Sequence, residues 1–416
     1  MDRRSPIAAR MRDIAPFHVM EVQTAARALE AAGRDVVHME IGEPDFPTPA
    51  PVLDAARAAM QGGGIYYTSA LGLPSLREAI AGHYRDQYDV DVAPERIVVT
   101  AGSSAALLLA LGLLVDRDDE ILLADPGYPC NRHFVRTLEG EPVGIPVGPQ
   151  SDYQLTADAI DAAWTRRTRG ALIASPSNPT GTSVSDAEMA RIASRVEARG
   201  GALLVDEIYL GLSYTSSRVS ALGLSGCDRD RMFVINSFSK YFNMTGWRLG
   251  WLVAPQVHVR DLEKLAQNLY ISPPTLSQHA ALACFEPATL AILETRRAEF
   301  RARRDFLVPA LRELGFHVPV TPTGGFFVYA DCSPFGMDSE RFCRETLAAT
   351  GVAFTPGIDF GTHRARDHVR FAYTIAQERL REGVRRLGEW LPGLRNASRS
   401  TADGAPASAG EAVGQR

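Results

Sequence analysis

Short apolar runs recur at intervals through the middle of this chain, and that alternation constrains its fold more than any other feature. The runs are Ile97-Val98-Val99-Thr100, Ile121-Leu122-Leu123-Ala124, Ala171-Leu172-Ile173-Ala174, Ala202-Leu203-Leu204-Val205, Met232-Phe233-Val234-Ile235 and Leu249-Gly250-Trp251-Leu252-Val253. A strand with one wet face alternates apolar and polar residues; a continuous apolar run reads as a strand covered on both faces. Helical segments separate most of the runs, so a mainly parallel sheet with helices on both sides is predicted. The last run follows its predecessor by only about a dozen residues, too few for a helical crossover, and is expected to be the antiparallel strand. With 416 residues, 45% of them hydrophobic, the chain is long enough for a large core and a second lobe.

The second lobe is predicted from the later pattern. A helix from about Ala288 to Leu314 stops at Gly315, and a Pro/Gly-rich turn runs from Pro319 to Gly325. The strand Phe326-Phe327-Val328-Tyr329, a helix over Ser339 to Thr350 and the strand Val369-Arg370-Phe371-Ala372 complete a smaller α+β lobe. A helix near Phe17 to Ala32 and a strand from Val36 to Ile41 are expected to pack onto it. The resulting boundaries are 1–48 for an N-terminal arm with part of the small domain, 49–290 for the large domain, and 291–396 for a connecting helix and the C-terminal small domain. Residues 397–416, rich in Ser, Ala and Gly without periodicity, read as a disordered tail.

A net charge of -5 without a basic cluster argues against a nucleic-acid binder. Arg296, Arg297, Arg301, Arg303 and Arg304 read as the solvated face of the long helix, with Ile292, Leu293, Phe300, Phe306 and Leu307 as its apolar positions. Five scattered cysteines with no Cys-x-x-Cys pair suggest a reducing compartment and no structural zinc. His363 and His368, near Asp359 and Asp367, lack a metal-ligand spacing, so no metal is expected. Met1 to Arg12 holds no signal-peptide core and no run reaches membrane-span length, which reads as a cytoplasmic protein.

Several segments carry candidate chemistry. Ser237-Phe238-Ser239-Lys240, followed by Arg248, places an amine nucleophile beside hydroxyls and a guanidinium, the groups that hold a phosphorylated aldehyde. An exposed Lys and Arg on a serine-rich loop is the plain alternative. Asp206 stands at the carboxyl end of a buried run, where open α/β sheets place ligands, with Tyr209 three residues on. A carboxylate there can bind a protonated pyridine nitrogen, or simply cap the next helix. Gly102-Ser103-Ser104 opens an apolar helical run and offers backbone N–H groups to a phosphate, or is a plain N-cap. Gly62-Gly63-Gly64, with no buried strand leading into it, reads as a turn.

The order Ser237-x-Ser239-Lys240, then Gly246-Trp247-Arg248-Leu249-Gly250, resembles the pyridoxal-phosphate attachment site of the class I/II aminotransferases of fold type I. Further motifs in the same order support the resemblance, which spans about Phe17 to Leu391: Gly102-Ser103-Ser104, Asp125-Pro126-Gly127-Tyr128-Pro129, Ser175-Pro176-Ser177-Asn178-Pro179-Thr180-Gly181 and Asp206-Glu207-Ile208-Tyr209. It implies a fold-type-I transferase in which Lys240 carries the cofactor as a Schiff base and moves the substrate proton. Asp206 and Tyr209 would meet the ring nitrogen and ring oxygen, Tyr128 would stack on the ring, and Ser103, Ser104, Ser237 and Arg248 would anchor the phosphate. Asn178 would reach both the ring oxygen and the substrate carboxylate, which Arg370 and the backbone of Gly42 would also hold. Tyr67, ahead of Gly72-Leu73-Pro74-Ser75-Leu76-Arg77, would reach the neighbouring subunit's phosphate, giving a homodimer with composite sites. Asn131 stands where many relatives carry a second aromatic, which bears on the shape of the neighbouring pocket.

The implied reaction moves an amino group from an amino acid to a 2-oxo acid by a ping-pong mechanism. A lyase or cyclising enzyme of the same fold is the alternative, since fold does not fix reaction outcome. Asn268 to Ser277, near the substrate side chain in relatives, holds no Arg or Lys, while Phe17 and Tyr270 offer apolar surface. Neutral aliphatic or aromatic substrates are therefore expected, with Arg132 as the cation that would overturn this.

Overall fold

The computed structural model describes residues 7–215, 219–224 and 231–403. The chain opens with α1 (His18–Ala31) and β1 (Val37–His38), and two helices, α2 (Ala50–Gly62) and α3 (Pro74–Tyr88), lead into β2 (Ile97–Thr100). Strand and helix then alternate: α4 (Ser103–Leu114), β3 (Glu120–Asp125), α5 (Pro129–Thr137), β4 (Glu141–Pro146), α6 (Ala157–Ala163), β5 (Thr168–Ala174), α7 (Asp186–Ala198) and β6 (Ala202–Asp206). β7 (Met232–Ser237) and β8 (Gly250–Val253) close the central sheet, whose order is β2-β8-β7-β6-β5-β3-β4. β8 runs antiparallel to both neighbours and the other pairs are parallel, as the short connection predicted.

Successive strand residues feed opposite faces, and both faces are covered. Val98, Leu172, Leu204, Phe233 and Leu252 pack with α4 and with Leu262 and Ala266 of α8 (Val259–Leu269). Their neighbours Val99, Ile173, Val205, Val234 and Trp251 join the larger cluster on the other face. That two-sided burial is the physical reason the runs are continuous rather than alternating. β4, half-exposed and carrying Pro142 and Pro146, is an edge strand, where a missing N–H costs least.

After α9 (Thr275–Leu282), the long α10 (Pro287–Glu313) leads to β9 (Phe327–Asp331), α11 (Ser339–Thr350), β10 (Val352–Ala353), β11 (Thr355–Pro356), β12 (His368–Ala372) and α12 (Gln377–Asp403). β11, β12 and β9 form an antiparallel three-stranded sheet, and β10 pairs with β1 in parallel.

Three expectations need correction. The strand predicted from Val36 to Ile41 is only Val37–His38, because β10 offers a partner of equal length. Residues 397–403 continue α12 instead of beginning a disordered tail; the remainder of that segment lies outside the described residues. The arginines of α10 are not one solvated face. Arg303 is buried with only 3% of its side chain exposed, 2.9 Å from Asp45 and 3.0 Å from Glu299, while Arg301 stays exposed. Four cysteines are free thiols, and Cys227 lies outside the described residues. Among the described residues no helix is long and apolar enough to cross a membrane.

Candidate active site

The carboxyl ends of the parallel strands converge on one cavity of ≈ 370 Å3. Asp206 ends β6 and is buried, and its Oδ1 accepts the Ile208 N–H at 3.1 Å. Burial pushes its carboxyl up to about 7, against that hydrogen bond and the nearby Lys240 charge. Lys240 follows β7 and donates from Nζ to the Gly42 carbonyl at 2.9 Å. Burial brings its amine down to about 8; Glu43 opposes the fall, while Arg248 and Arg370 add to it. Gly42 must be bare, since a Cβ there would lie 2.5 Å from the Phe327 ring.

Phosphate chemistry is gathered at the start of α4. Gly102, at φ +84, caps the helix without a side chain, leaving the first N–H groups and the dipole's positive end facing the cavity beside Ser103 and Ser104. A Cβ on Gly102 would stand 2.6 Å from Arg248 Nη2, so the bare backbone makes room for that guanidinium. Ser237 is buried; its Oγ donates to Leu249 O at 3.3 Å and accepts the Ser239 N–H at 3.0 Å. Ser239 is the serine that lines the cavity, a residue passed over in the motif although it adjoins the lysine.

Opposite stands the carboxylate-gripping set. Arg370, on β12, donates from Nη1 to Asn178 Oδ1 at 2.9 Å and from Nη2 to Glu40 O and Thr355 Oγ1. The rings of Phe327 and Phe360 flank its guanidinium at 4.3 and 4.7 Å, and burial lowers its pKa to about 10. Its buried Nε–H has no acceptor among the described residues. Tyr128, Asn178 and Tyr209 line the same cavity, and Tyr209 is held edge-on by Phe326 at 5.3 Å. Phe17, Val19 and Met20 of the α1 entry form an apolar wall; of these only Phe17 stood out in the sequence.

Of the residues singled out in the sequence, Ser237, which sits behind Ser239, Tyr270, Tyr67, Arg132 and Asn131 do not line this cavity. Tyr67 is 79% exposed. Arg132 lines an adjoining cavity of ≈ 360 Å3 that shares Tyr128 with the first, and its Nη2 donates to Asp359 O at 2.8 Å. Asn131 lines that neighbour too, buried, with Oδ1 unpartnered among the described residues.

The residues fit pyridoxal phosphate. A carboxyl kept high by burial answers a protonated ring nitrogen, the uncapped α4 start with Arg248 answers a phosphate, and an amine at about 8 is free enough of protons to meet an aldehyde. Fold and site together define a fold-type-I pyridoxal-phosphate enzyme. The sequence pattern described as "Aminotransferase class I and II" matches residues 34–387. The chain is 41% identical to the valine–pyruvate aminotransferase of Mycobacterium tuberculosis over 91% of its length and 97% of the relative's. It is 35% identical to a (5-formylfuran-3-yl)methyl phosphate transaminase of Methanocaldococcus jannaschii, over 92% and 99%. A crystal structure of an aminotransferase from Mycobacterium tuberculosis superposes with a TM-score of 0.89 at 41% identity, covering 94% of this chain and all of that one. The chain therefore belongs to the class I and II aminotransferases and is a pyridoxal-phosphate-dependent aminotransferase.

Proposed function

We propose that this enzyme moves the amino group of a neutral amino acid, aliphatic or aromatic, to a 2-oxo acid in a ping-pong cycle. The observation that carries the reading is the use of charge in the cavity. Its three cations, Lys240, Arg248 and Arg370, each have a task, which leaves none in this chain's lining for a distal carboxylate. The remaining wall of Phe17, Val19, Met20 and Ile41 suits an apolar side chain. The relative named for valine and pyruvate supports the same class.

Pyridoxal phosphate, when bound, supplies an aldehyde carbon for the amine and a ring that takes up electron density from the substrate Cα. Arg370 holds the α-carboxylate, its unpartnered Nε–H and planar fork giving a directional grip. Asn178, tied to Arg370 Nη1, fixes the orientation of that fork. Lys240 Nζ would take the proton from Cα and deliver it to the carbon that bore the cofactor's aldehyde, acting as general base and then acid near neutral pH. Asp206 would keep a proton on the ring nitrogen, Tyr209 would donate to the ring oxygen, and Tyr128 would cover the ring. Ser103, Ser104, Ser239 and Arg248 would anchor the phosphate, with Ser237 holding the Ser239 N–H from behind, joined by Tyr67 of a second copy.

The test mixes cofactor-loaded protein with single amino acids and no oxo acid, following the cofactor's absorbance. Valine, leucine, methionine and phenylalanine are expected to discharge it once, with return on adding pyruvate, while aspartate is slow. Preference for aspartate overturns the substrate class. Continuous ammonia release without an oxo acid overturns transamination in favour of elimination.

A further inference from the structure

The apolar wall belongs to a helix that the rest of the molecule barely holds. Within its 14 residues α1 buries only Val19 and Ala26, and an isolated helix of that length is marginal in water. Its N-cap position is Phe17, whose side chain offers no acceptor and whose carbonyl takes only the Met20 N–H at 2.9 Å, leaving the His18 and Val19 N–H groups to be met from elsewhere. Asp359, distant in sequence, supplies the acceptors: Oδ1 accepts the His18 N–H at 3.0 Å and Oδ2 the Val19 N–H at 3.3 Å. The carboxylate is 1% exposed, so water does not compete for those donors. Negative charge at a helix start also meets the favourable end of the dipole.

The same residue is anchored to the other side of the cavity. Its carbonyl accepts from Arg132 Nη2 at 2.8 Å, and Arg132 lies on α5, which begins directly after Tyr128. Phe17 meets Tyr128 edge-on, ring centres 6.4 Å apart. One residue thus ties the first turn of α1 to the segment that carries Tyr128. The far half of α1 is held separately, by Ala26, Val22 and Leu29 packing on Val36, Leu347 and Ala353. Loss of the cap therefore frees the first turn without releasing the helix.

We propose that Asp359 is a positioning residue for substrate choice: by capping α1 it fixes the wall of Phe17, Val19 and Met20 against which the substrate side chain packs. This rests on the neutral-substrate reading above. A leucine side chain needs that wall, whereas the single methyl of alanine makes little use of it.

The experiment compares wild type, Asp359→Ala, Asp359→Asn and His18→Pro as holoenzymes in single turnovers with leucine and alanine. Asp359→Ala is expected to raise the half-saturating leucine concentration about tenfold, the equilibrium factor for a lost Asp cap. The limiting rate for leucine and both constants for alanine stay within about twofold. Asp359→Asn keeps one acceptor and gives a smaller rise. His18→Pro deletes one donor while suiting the first helical position, and moves leucine in the same direction. Equal losses for leucine and alanine overturn the proposal, because Asp359 would then act through its charge on Arg370. Hydrogen exchange over residues 18–21 is the substrate-free readout. Faster exchange there in Asp359→Ala or Asp359→Asn, with the central strands unchanged, supports the cap. Unchanged exchange overturns it even if the wild type proves to prefer other substrates.

Discussion

Lys264 holds its ammonium 2.6 Å from Asp261 on the surface of α8, whereas Lys240 holds its amine inside the cavity against Gly42 O. They are the two lysines of the whole chain, so a reductively trapped cofactor has one buried place to be found. Burial lowers Lys240 from the ordinary 10.5 to about 8. Between those values the unfolded chain keeps a proton that the folded apoenzyme has released, so this group adds stability as pH rises through that window. Only the neutral amine attacks an aldehyde, so capture of pyridoxal phosphate by apoenzyme should accelerate about tenfold per pH unit below the midpoint and level off above pH 8 or so. Stopped-flow absorbance across pH 6 to 10 measures it, and a midpoint near 10 refutes it. Lys240, Asp206 and Arg370 line one cavity; Asp206 was legible at the end of an apolar run and Lys240 beside its serines and Arg248, whereas Arg370 rested on the family resemblance. Arg303 was not legible: helical periodicity says which way a side chain leaves its helix, not that Asp45 and the Thr374 carbonyl wait there, nor that the Phe46 and Phe300 rings, 4.9 and 5.2 Å away, cover it.

Among elements, α4 shows how a strand-to-helix turn becomes a binding device. β2 ends at Thr100, Gly102 turns at φ +84, and the helix starts with its N–H groups uncovered. Gly102→Ala should cost about 1–2 kcal/mol in strain, since a side chain disfavours that backbone region. It should also displace Arg248 Nη2, which the new Cβ would meet at 2.6 Å. The expected result is cofactor affinity at least tenfold weaker by equilibrium dialysis of refolded holoenzyme, with kcat for the loaded fraction little changed. Unaltered affinity would remove the α4 start from phosphate binding. Six of the seven strands of the central sheet were readable from continuous apolar runs. β4 was not, because its residues are mostly half-exposed and its prolines imitate a loop, whereas β2 at the opposite edge is buried throughout. The 397–403 extension of α12 was missed because its Ser, Thr and Ala residues carry no periodic apolar signal in the sequence.

At the scale of the whole molecule, one feature of a single chain points outward. Tyr66 and Tyr67 are 77% and 79% exposed, and Leu269 and Ile271 are 64% and 53% exposed. Thr275 Oγ1 donates to Tyr66 O at 2.6 Å, which places the tyrosine segment beside the start of α9, close in sequence to those two apolar residues. Exposed large apolar side chains are candidates for an interface, and most soluble homo-oligomers are two-fold dimers. Tyr67 is proposed to serve the site of a partner copy, which a mixing experiment can decide. Lys240→Ala chains lack the amine but keep Tyr67; Tyr67→Ala chains lack the tyrosine but keep the amine. In a mixed dimer, one site then combines Lys240 of one chain with Tyr67 of the other and is complete, while the second site lacks both. Random reassociation of equal amounts makes half the dimers mixed, so about a quarter of all sites are restored. Activity of the mixture should rise towards that fraction of wild type after unfolding and refolding together, and stay near the sum of the two variants when they are refolded apart. If co-refolding adds nothing, Tyr67 does not act across subunits.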